Sequence, residues 1–457
     1  MKEVRNAIVC QGCDALYQRA ALRPREVARC ARCGTELERH PGQQHRRILP
    51  LTLASLIMFG IANLFPIVEI ELKGLSSQTT LAGAVVALAR EGLSPVALLV
   101  LATTILFPLL QLCILAWLLV PLTRGRQPPG FNWLVRAMQS LRPWGMIEVF
   151  LLGVLVAVVK LSSMATVLPG PALWAFMALT VLLTAVLSFD PRTFWEMAVR
   201  PATGEEGEAS LPPLPPVDPA SASAEGALVP LAPTAATAMT ATTARAHGLI
   251  ACPHCSTVWR GAGDGERCGV CATRLHVRKP DSLNRTWALL IAACAMYLPA
   301  NLLPVMITRT LFGAQSDTIM SGVIYFWVSG AYGLAAIVFI ASFLVPLFKL
   351  AALFVLVVSA QRRSEWRRTE RARLYHAIEV IGRWSMLDVF VVAVLAGLVR
   401  IQGFAEITAG VGIAAFGAVV VLTMLASLSF DPRLSWDEAP PDPSRKAEQA
   451  HERIQSA

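Results

Sequence analysis

RWSMLDVF, residues Arg383–Phe390, runs directly into the apolar stretch VVAVLAGLV, yet it carries Asp388. PWGMIEVF, Pro143–Phe150, runs into LLGVLVAVV and carries Glu148. The two stretches are copies of one motif, and other copies lie around them. NLFP (Asn63–Pro66) recurs as NLLP (Asn301–Pro304), and FPLLQL (Phe107–Leu112) as VPLFKL (Val345–Leu350). Lys160 recurs as Arg400, and SFDPR (Ser188–Arg192) recurs unchanged at Ser429–Arg433. The offset between partners stays between 238 and 241 residues. Ordered recurrence at a steady offset marks a duplication.

Composition says what was duplicated. Of 457 residues, 55% are hydrophobic and only 16% charged, where soluble domains average about 25% charged. The apolar residues fall in runs at Ile48–Val68, Leu93–Val120, Met146–Val159 and Pro171–Phe189, then Thr286–Ile307, Ala331–Ala360, Met386–Val399 and Ile407–Phe430. A membrane-spanning helix needs roughly 20 apolar residues to cross about 30 Å of hydrocarbon. The third and seventh runs are short and need their flanks. The expected fold is an all-α membrane protein of two tandem four-helix transmembrane modules, each preceded by a small cytoplasmic zinc ribbon. Residues 1–45 and 248–280 are the ribbons, 46–200 and 281–437 the modules, and 438–457 a polar tail. Residues 201–247, rich in Pro, Ala and Thr without periodicity, read as a disordered linker.

Arginine placement sets the orientation. The loop after the second span carries Arg124, Arg126, Arg136 and Arg142 without an acid, and the matching loop after the sixth is denser still, from Arg362 to Arg383. The positive-inside rule puts both loops, both termini and the linker in the cytoplasm. No apolar segment precedes the first ribbon, so no cleaved signal peptide is expected. The net charge of +9 is then an orientation bias with attraction to anionic lipid heads, not a nucleic-acid footprint. No GxxxxGK[ST] occurs, so no nucleotide is expected, and no nucleophile–base arrangement suggests an enzyme.

Each module follows a cysteine cluster. Cys10 and Cys13 are separated by sixteen residues from Cys30 and Cys33, and Cys252 and Cys255 by twelve from Cys268 and Cys271. Two CxxC pairs at this separation offer four thiolates for a structural Zn²⁺ with no open position. Redox dithiols and an iron centre are the alternatives, and a reducing cytoplasm disfavours disulfides. Gly34 and Gly269 are placed to help the turns close. His254, inside CPHC, reads as a bystander beside four cysteines, and Cys113 and Cys294 as apolar filler.

Ionisable residues inside spans are candidates for function. Lys160 and Arg400 sit at outer span ends and can snorkel. Asp190 and Asp431 precede prolines and read as helix terminators paired with Arg192 and Arg433. Glu148 and Asp388, a few residues past an arginine, should face the bundle interior. Ser385 lies one turn before Asp388. Lys349 lies deep in the sixth span, where the first copy has neutral Gln111. The second module thus gathers Ser342, Lys349, Ser385, Asp388 and Thr423, against Thr104, Gln111 and Glu148 in the first. Interhelical glue and a proton relay or moving gate both fit that set. Pro346 is placed to bend the sixth span. Asn63–Pro66 and Asn301–Pro304 fit a hinge or a helix end. The apolar segments Thr79–Arg90 and Thr318–Ser329 read as short helices at the outer membrane face.

Paired CxxC ribbons, each followed by four spans with N-L-x-P, P-L-x-K/Q, W-S/G-M-x-D/E-V-F and S-F-D-P-R, resemble the paraquat-inducible protein A family of PqiA- and LetA-like proteins. The likeness covers everything except linker and tail. It implies a bacterial inner-membrane protein that works with a partner carrying MCE domains, which form a tunnel across the periplasm. The implied activity is lipid transport: loading or extracting membrane phospholipid for that tunnel. It also implies that the polar set Ser342, Lys349, Ser385, Asp388 and Thr423 matters, with coupling to protons. A membrane scaffold or sensor whose ribbons bind partners is the competing class, and an ion or proton channel a third.

Overall fold

The computed structural model describes residues 1–4, 7–19, 22, 26–39, 45–72, 75–124, 126–162, 166–187, 194–195, 229–230, 243–310, 313–363, 367–398, 400–401 and 405–437. Most of the linker, the polar tail, Asp190 and Arg192 lie outside them.

The first half holds α1 (His45–Leu64), α2 (Leu81–Arg90), α3 (Ser94–Leu101), α4 (Phe107–Leu122), α5 (Phe131–Leu141), α6 (Ile147–Ser162) and α7 (Pro171–Leu187). The second half repeats the order with α8 (Ser282–Leu302), α9 (Ile319–Val328), α10 (Tyr332–Phe339), α11 (Val345–Gln361), α12 (Arg368–Gly382), α13 (Leu387–Leu398) and α14 (Val411–Ser429). Among the described residues, four helical stretches are long and apolar enough to cross a membrane: Ser94–Leu122, Phe131–Val159, Ala335–Gln361 and Val411–Ser429. Shorter apolar helices include Ile48–Leu64 and Pro171–Leu187.

The prolines explain the shape of the longest helices. Pro108 and Pro346 have no N–H to give the carbonyl four residues back, and their rings crowd it. A π turn over Ala102–Leu106 precedes Pro108, and one over Ile340–Leu344 precedes Pro346. The wider turn lets the helix continue past the proline. Pro346 therefore acts through a local widening that also carries Ser342.

The Asn–Pro motifs end helices. Asn63 Nδ2 donates to the Phe59 carbonyl at 2.8 Å, and Asn301 Nδ2 to Tyr297 at 2.9 Å. Both bonds fold the asparagine side chain back onto its own helix, at the carbonyl one turn earlier. Beyond each motif the chain continues as strand, not helix. Val68–Leu72 pairs with Leu75–Thr79 and with Thr166–Pro169. Met306–Thr310 pairs with Gly313–Asp317 and with Ala405–Ala409, which pairs on to Arg400–Ile401. The apolar runs ending at Val68 and Ile307, and the one starting at Ile407, thus extend into sheets: their outermost apolar residues alternate across strands. Gly170 and Gly410 close the two sheets onto the helix ends. A Cβ at either would collide with the carbonyl oxygen of Pro66 or Pro304.

α2 and α9 start as their caps dictate. Thr80 Oγ1 accepts from Gly83 N at 3.1 Å, and Thr318 with Ser321 forms a reciprocal capping box. α9 leaves Ile324, Tyr325, Trp327 and Val328 exposed, as expected for a helix meeting lipid or a partner.

α6 and α13 cross at the seam between the halves. Phe150 meets Phe390 edge-on, with ring centroids 5.5 Å apart. Gly153 permits the approach, because a Cβ on it would lie 2.9 Å from the Phe390 Cβ. Gly153→Leu should overpack this seam and cost about 1–3 kcal/mol. Thermal unfolding of purified protein in detergent would show it as a lowered midpoint, and an unchanged midpoint would refute the close seam.

The two cysteine ribbons join at the opposite end from the sheets. Lys2–Val4 adds to the second ribbon's Val258–Arg260, beside Leu249–Ala251. Ala15 bridges Thr243, and Val229–Pro230 of the linker lies parallel to Leu16–Gln18. The ribbons also cross over. The second ribbon, through Ile250, Trp259 and Leu275, packs with Phe131, Val135, Met138 and Leu118 of the first half. The first ribbon packs with Ala372 and Trp436 of the second half, and Arg32 stacks 4.3 Å above the Trp436 ring. A buried cluster ties the joint: Arg278 Nη2 bonds Asp14 Oδ2 at 3.0 Å and Asp437 Oδ1 at 2.6 Å. The second SFDPR motif is indeed a terminator. Asp431 is buried, accepts from the Arg433 guanidinium at 3.1 Å and from Lys279 N at 3.0 Å.

Candidate functional site

The four CxxC turns are built alike. Cys10 N donates to the Ala15 carbonyl, Cys30 N to Thr35, Cys252 N to Thr257 and Cys268 N to Thr273, at 2.8–2.9 Å. The residue after each second cysteine takes a left-handed conformation: Asp14 (φ 62°), Gly34 (φ 78°), Ser256 (φ 59°) and Ala272 (φ 57°). Only one of these is the glycine that sequence favours there, so the tertiary setting holds the other three. Gly269 serves packing instead: a Cβ there would lie 2.8 Å from the Trp259 ring.

The turns bring the sulfurs together. Cys10 and Cys33 lie 3.4 Å apart, as do Cys13 and Cys30; Cys252 and Cys271 lie 3.3 Å apart, and Cys255 and Cys268 3.6 Å. All four sulfurs of a set lie within 4.8 Å of one another. Zinc–thiolate bonds of about 2.3 Å in a tetrahedron place sulfurs about 3.8 Å apart, so each set can hold such an ion. Donors surround the sulfurs. Trp259 Nε1 donates to Cys268 at 3.3 Å, Gly12 N to Cys10 at 3.4 Å, and the Tyr17 hydroxyl sits 3.2 Å from Cys30. Hydrogen bonds with Cys10 and Cys13 pull the Cys33 thiol down to about 7. Those with Cys252 and Cys255 pull Cys271 down to about 6. The same sets hold Cys10, Cys13, Cys252 and Cys255 above the ordinary thiol range, so the packed sulfurs share protons within each set. His254 is a bystander: its Nδ1 lies 2.6 Å from Gln139 Oε1 on α5.

The second candidate site is the polar set between helices. Ser342, Lys349, Ser385 and Thr423 are all buried. The π turn bearing Ser342 packs against the 3-10 turn Arg383–Met386 bearing Ser385, and α11, bearing Lys349, packs against both that turn and α14, bearing Thr423. Lys349 Nζ, Ser342 Oγ and Ser385 Oγ have no hydrogen-bond partner among the described residues. Lys349 lies 1% exposed, with its end against Gly382, where a Cβ would meet Nζ at an ordinary contact of 3.5 Å. Thr423 differs, since its hydroxyl donates to its own helix at the Val420 carbonyl, 3.0 Å away. Asp388 falls in the first turn of α13, but its side chain lies outside the described residues.

The first half repeats the geometry with weaker chemistry. Gln111 is buried with neither amide atom bonded among the described residues, and its Oε1 lies 3.2 Å from a Cβ on Gly145. Thr104 donates back to the Val100 carbonyl at 2.6 Å. Glu148 does not turn into the bundle. It is exposed and accepts from Thr184 Oγ1 on α7 at 2.8 Å. The apolar pattern suggests a helix continuous from Arg142, whereas a 3-10 turn over Arg142–Trp144 and an extended Gly145 delay α6 until Ile147. Glu148 therefore sits in the first turn, at the positive end of a helix. Sequence reasoning missed the π turns, although a hydroxyl four residues before each proline (Thr104, Ser342) signals them.

A membrane protein with a duplicated helical half and two cysteine clusters matches one family model in both halves. That model, paraquat-inducible protein A, matches residues 45–198 and 283–440. The chain belongs to the paraquat-inducible protein A family. It is 34% identical over 437 residues to the intermembrane transport protein PqiA of Escherichia coli, covering 95% of this chain and 96% of the relative. It is 28% identical over 432 residues to the lipophilic envelope-spanning tunnel protein A of E. coli, covering 94% and 90%. A probable intermembrane transport protein of Haemophilus influenzae is 28% identical over 439 residues, covering 93% and 95%. These relatives are named as transport proteins, not enzymes. No solved structure matches the chain.

Proposed function

We propose that this chain is the inner-membrane subunit of a lipid transport system, loading or extracting phospholipid for a periplasm-spanning tunnel of MCE-domain protein. In this reading eight helices span the membrane. The arginine-rich loops, the ribbons and both termini face the cytoplasm, and the two sheets face the periplasm. Each cysteine set holds a structural Zn²⁺. The names of the relatives support transport between membranes. The observation that carries the reading is Lys349, buried with no partner among the described residues beside Ser342 and Ser385. Burying an ammonium without compensation is costly, so such a group persists where a changing environment uses it. Its role here is to couple lipid movement to proton transfer with Asp388 and Thr423.

The test is a strain lacking its own copy, scored for envelope resistance to detergent. Lys349→Met keeps the volume and removes the amine. It should fall to the level of the deletion strain while protein amount and thermal stability hold. Gln111→Met should keep function, because the first half's copy is neutral already. Full function in the Lys349→Met strain would sink the polar-cluster mechanism. Proton flux in liposomes without lipid movement would transfer the reading to a channel.

A further inference from the structure

Between the two ribbons and the ribbon-side ends of the helices lies a cavity of about 1110 Å³. The polar cluster does not use it, and the first cysteine set borders it through Cys33. Its wall carries five fixed cations, Arg142, Arg274, Lys279, Arg373 and Arg433, against two carboxylates, Glu379 and Asp431. Asp431 is already engaged, whereas Glu379 is exposed beside His376, a partner only when that imidazole is protonated. Asp431 is held by the Arg433 guanidinium through both oxygens, and Glu379 lies 3.7 Å from His376. Arg142 is spent on the Leu187 carbonyl. The Lys279 ammonium donates to carbonyls, at 2.8 Å from Leu428 O and 3.1 Å from Phe430 O, with the charges of Asp431 and Glu379 nearby. Arg274 and Arg373 have no acceptor among the described residues. They come from different bodies, Arg274 from the second ribbon and Arg373 from α12, yet face one space. The opposite wall is amphipathic, with the Trp144 ring before α6 and Leu425 and Leu428 on the last turns of α14.

A guanidinium fork seeks a planar or tetrahedral oxyanion, and an aromatic ring with aliphatic neighbours at a helix end marks head-group depth. Basic pockets between helices at that depth suit lipid head groups. We propose that this cavity is a phosphate-ester binding site, contacted by Arg274 and Arg373 from its two sides, at the level of the cytoplasmic leaflet. The depth rests on the orientation proposed above; the phosphate chemistry does not. A phospholipid head group and a soluble phosphate ester supply the same oxyanion, so the test separates them.

The purified full chain, with its metal content measured, is titrated in neutral detergent with dioleoylphosphatidylglycerol or with glycerol phosphate, and binding is counted by native mass spectrometry. One bound ester per chain is expected. The Arg274→Gln, Arg373→Gln pair should weaken it about 100-fold, roughly tenfold for each charge-assisted contact. An Arg362→Gln, Arg363→Gln pair, on the same side but outside the cavity, should leave it unchanged. Binding of the lipid alone assigns a head group, and equal binding of glycerol phosphate assigns a soluble ester. Should Arg274→Gln lower the metal content, Arg373→Gln alone, read at unchanged metal content, carries the test with a tenfold loss. Binding of neither probe, affinity retained within about threefold in the cavity variants, or equal weakening by the control pair overturns the proposal. Transport is not a readout, so failure of the transport reading and failure of this site are seen separately.

Discussion

Cys252→Ser should lower the metal content of the purified protein from two ions per chain to one, matching the loss of one of two four-cysteine sets. The effect should not stay local. A structural metal contributes its binding energy directly to folding, on the order of 10 kcal/mol for small zinc domains. The second ribbon has few apolar residues of its own, and its Cys252, Trp259 and Cys268 lie in one buried cluster with Phe131 and Val135 of α5. Loss of the ion should therefore expose α5 and the preceding loop to protease while the helices remain. Elemental analysis with limited proteolysis reads both results. Two ions retained in the variant would overturn the assignment of ligands. Cys10→Ser should instead expose Trp436 and α12, because the first ribbon covers the other half.

Arg278→Ala should be the most damaging substitution outside the metal sites. Arg278 is only 12% exposed, and its partners Asp14 and Asp437 are 4% and 16% exposed. Burial opposes the guanidinium charge, but Asp437 and Asp14 together hold its pKa above the ordinary value. Removing the cation leaves the buried Asp14 carboxylate without a cation among the described residues and Asp437 with Arg245 alone; breaking a buried pair typically costs about 3–5 kcal/mol. Adding Asp14→Asn to Arg278→Ala should recover part of the loss, because the stranded charge is removed too. Denaturation midpoints of the two single variants and the double variant give the measurement. Additive losses would show that the pair is not coupled.

The duplication, the cysteine sets and the helix ends at Asn63 and Asn301 were legible because each is written locally. Spacing within a turn or along a helix face carries them. The sheets were not: VEIEL and AEITA are short, and their apolar residues abut true spans, so a hydropathy window merges them. Glu148 was misplaced for a related reason. One glycine, Gly145, breaks a helix that composition alone would continue. The buried set around Lys349 was legible as chemistry, because Ser342 and Ser385 differ in kind from the apolar residues around them. That Thr423 spends its hydroxyl on its own helix depends on a rotamer, which no spacing reveals. The crossing of the ribbons was illegible for a deeper reason, since nothing in either CxxC pair says which half it will cover. That choice lies in the surfaces of Phe131 and Trp436, far away in the chain.

The crossed ribbons impose an order of birth. Lys2–Val4 emerges first, but its pairing strand Val258–Arg260 is made roughly 250 residues later. At about 5–20 residues per second, that edge waits roughly 10–50 s for its neighbour. The first ribbon must survive that interval with an open strand edge, which its short length and charged Lys2 and Glu3 make less sticky. The tie from Asp437 to Arg278 closes only after the last helix of the second half has been made. A chain cut before Asp437 would keep its helices yet leave Arg278 without that partner, so the joint reports whether both halves are present and docked.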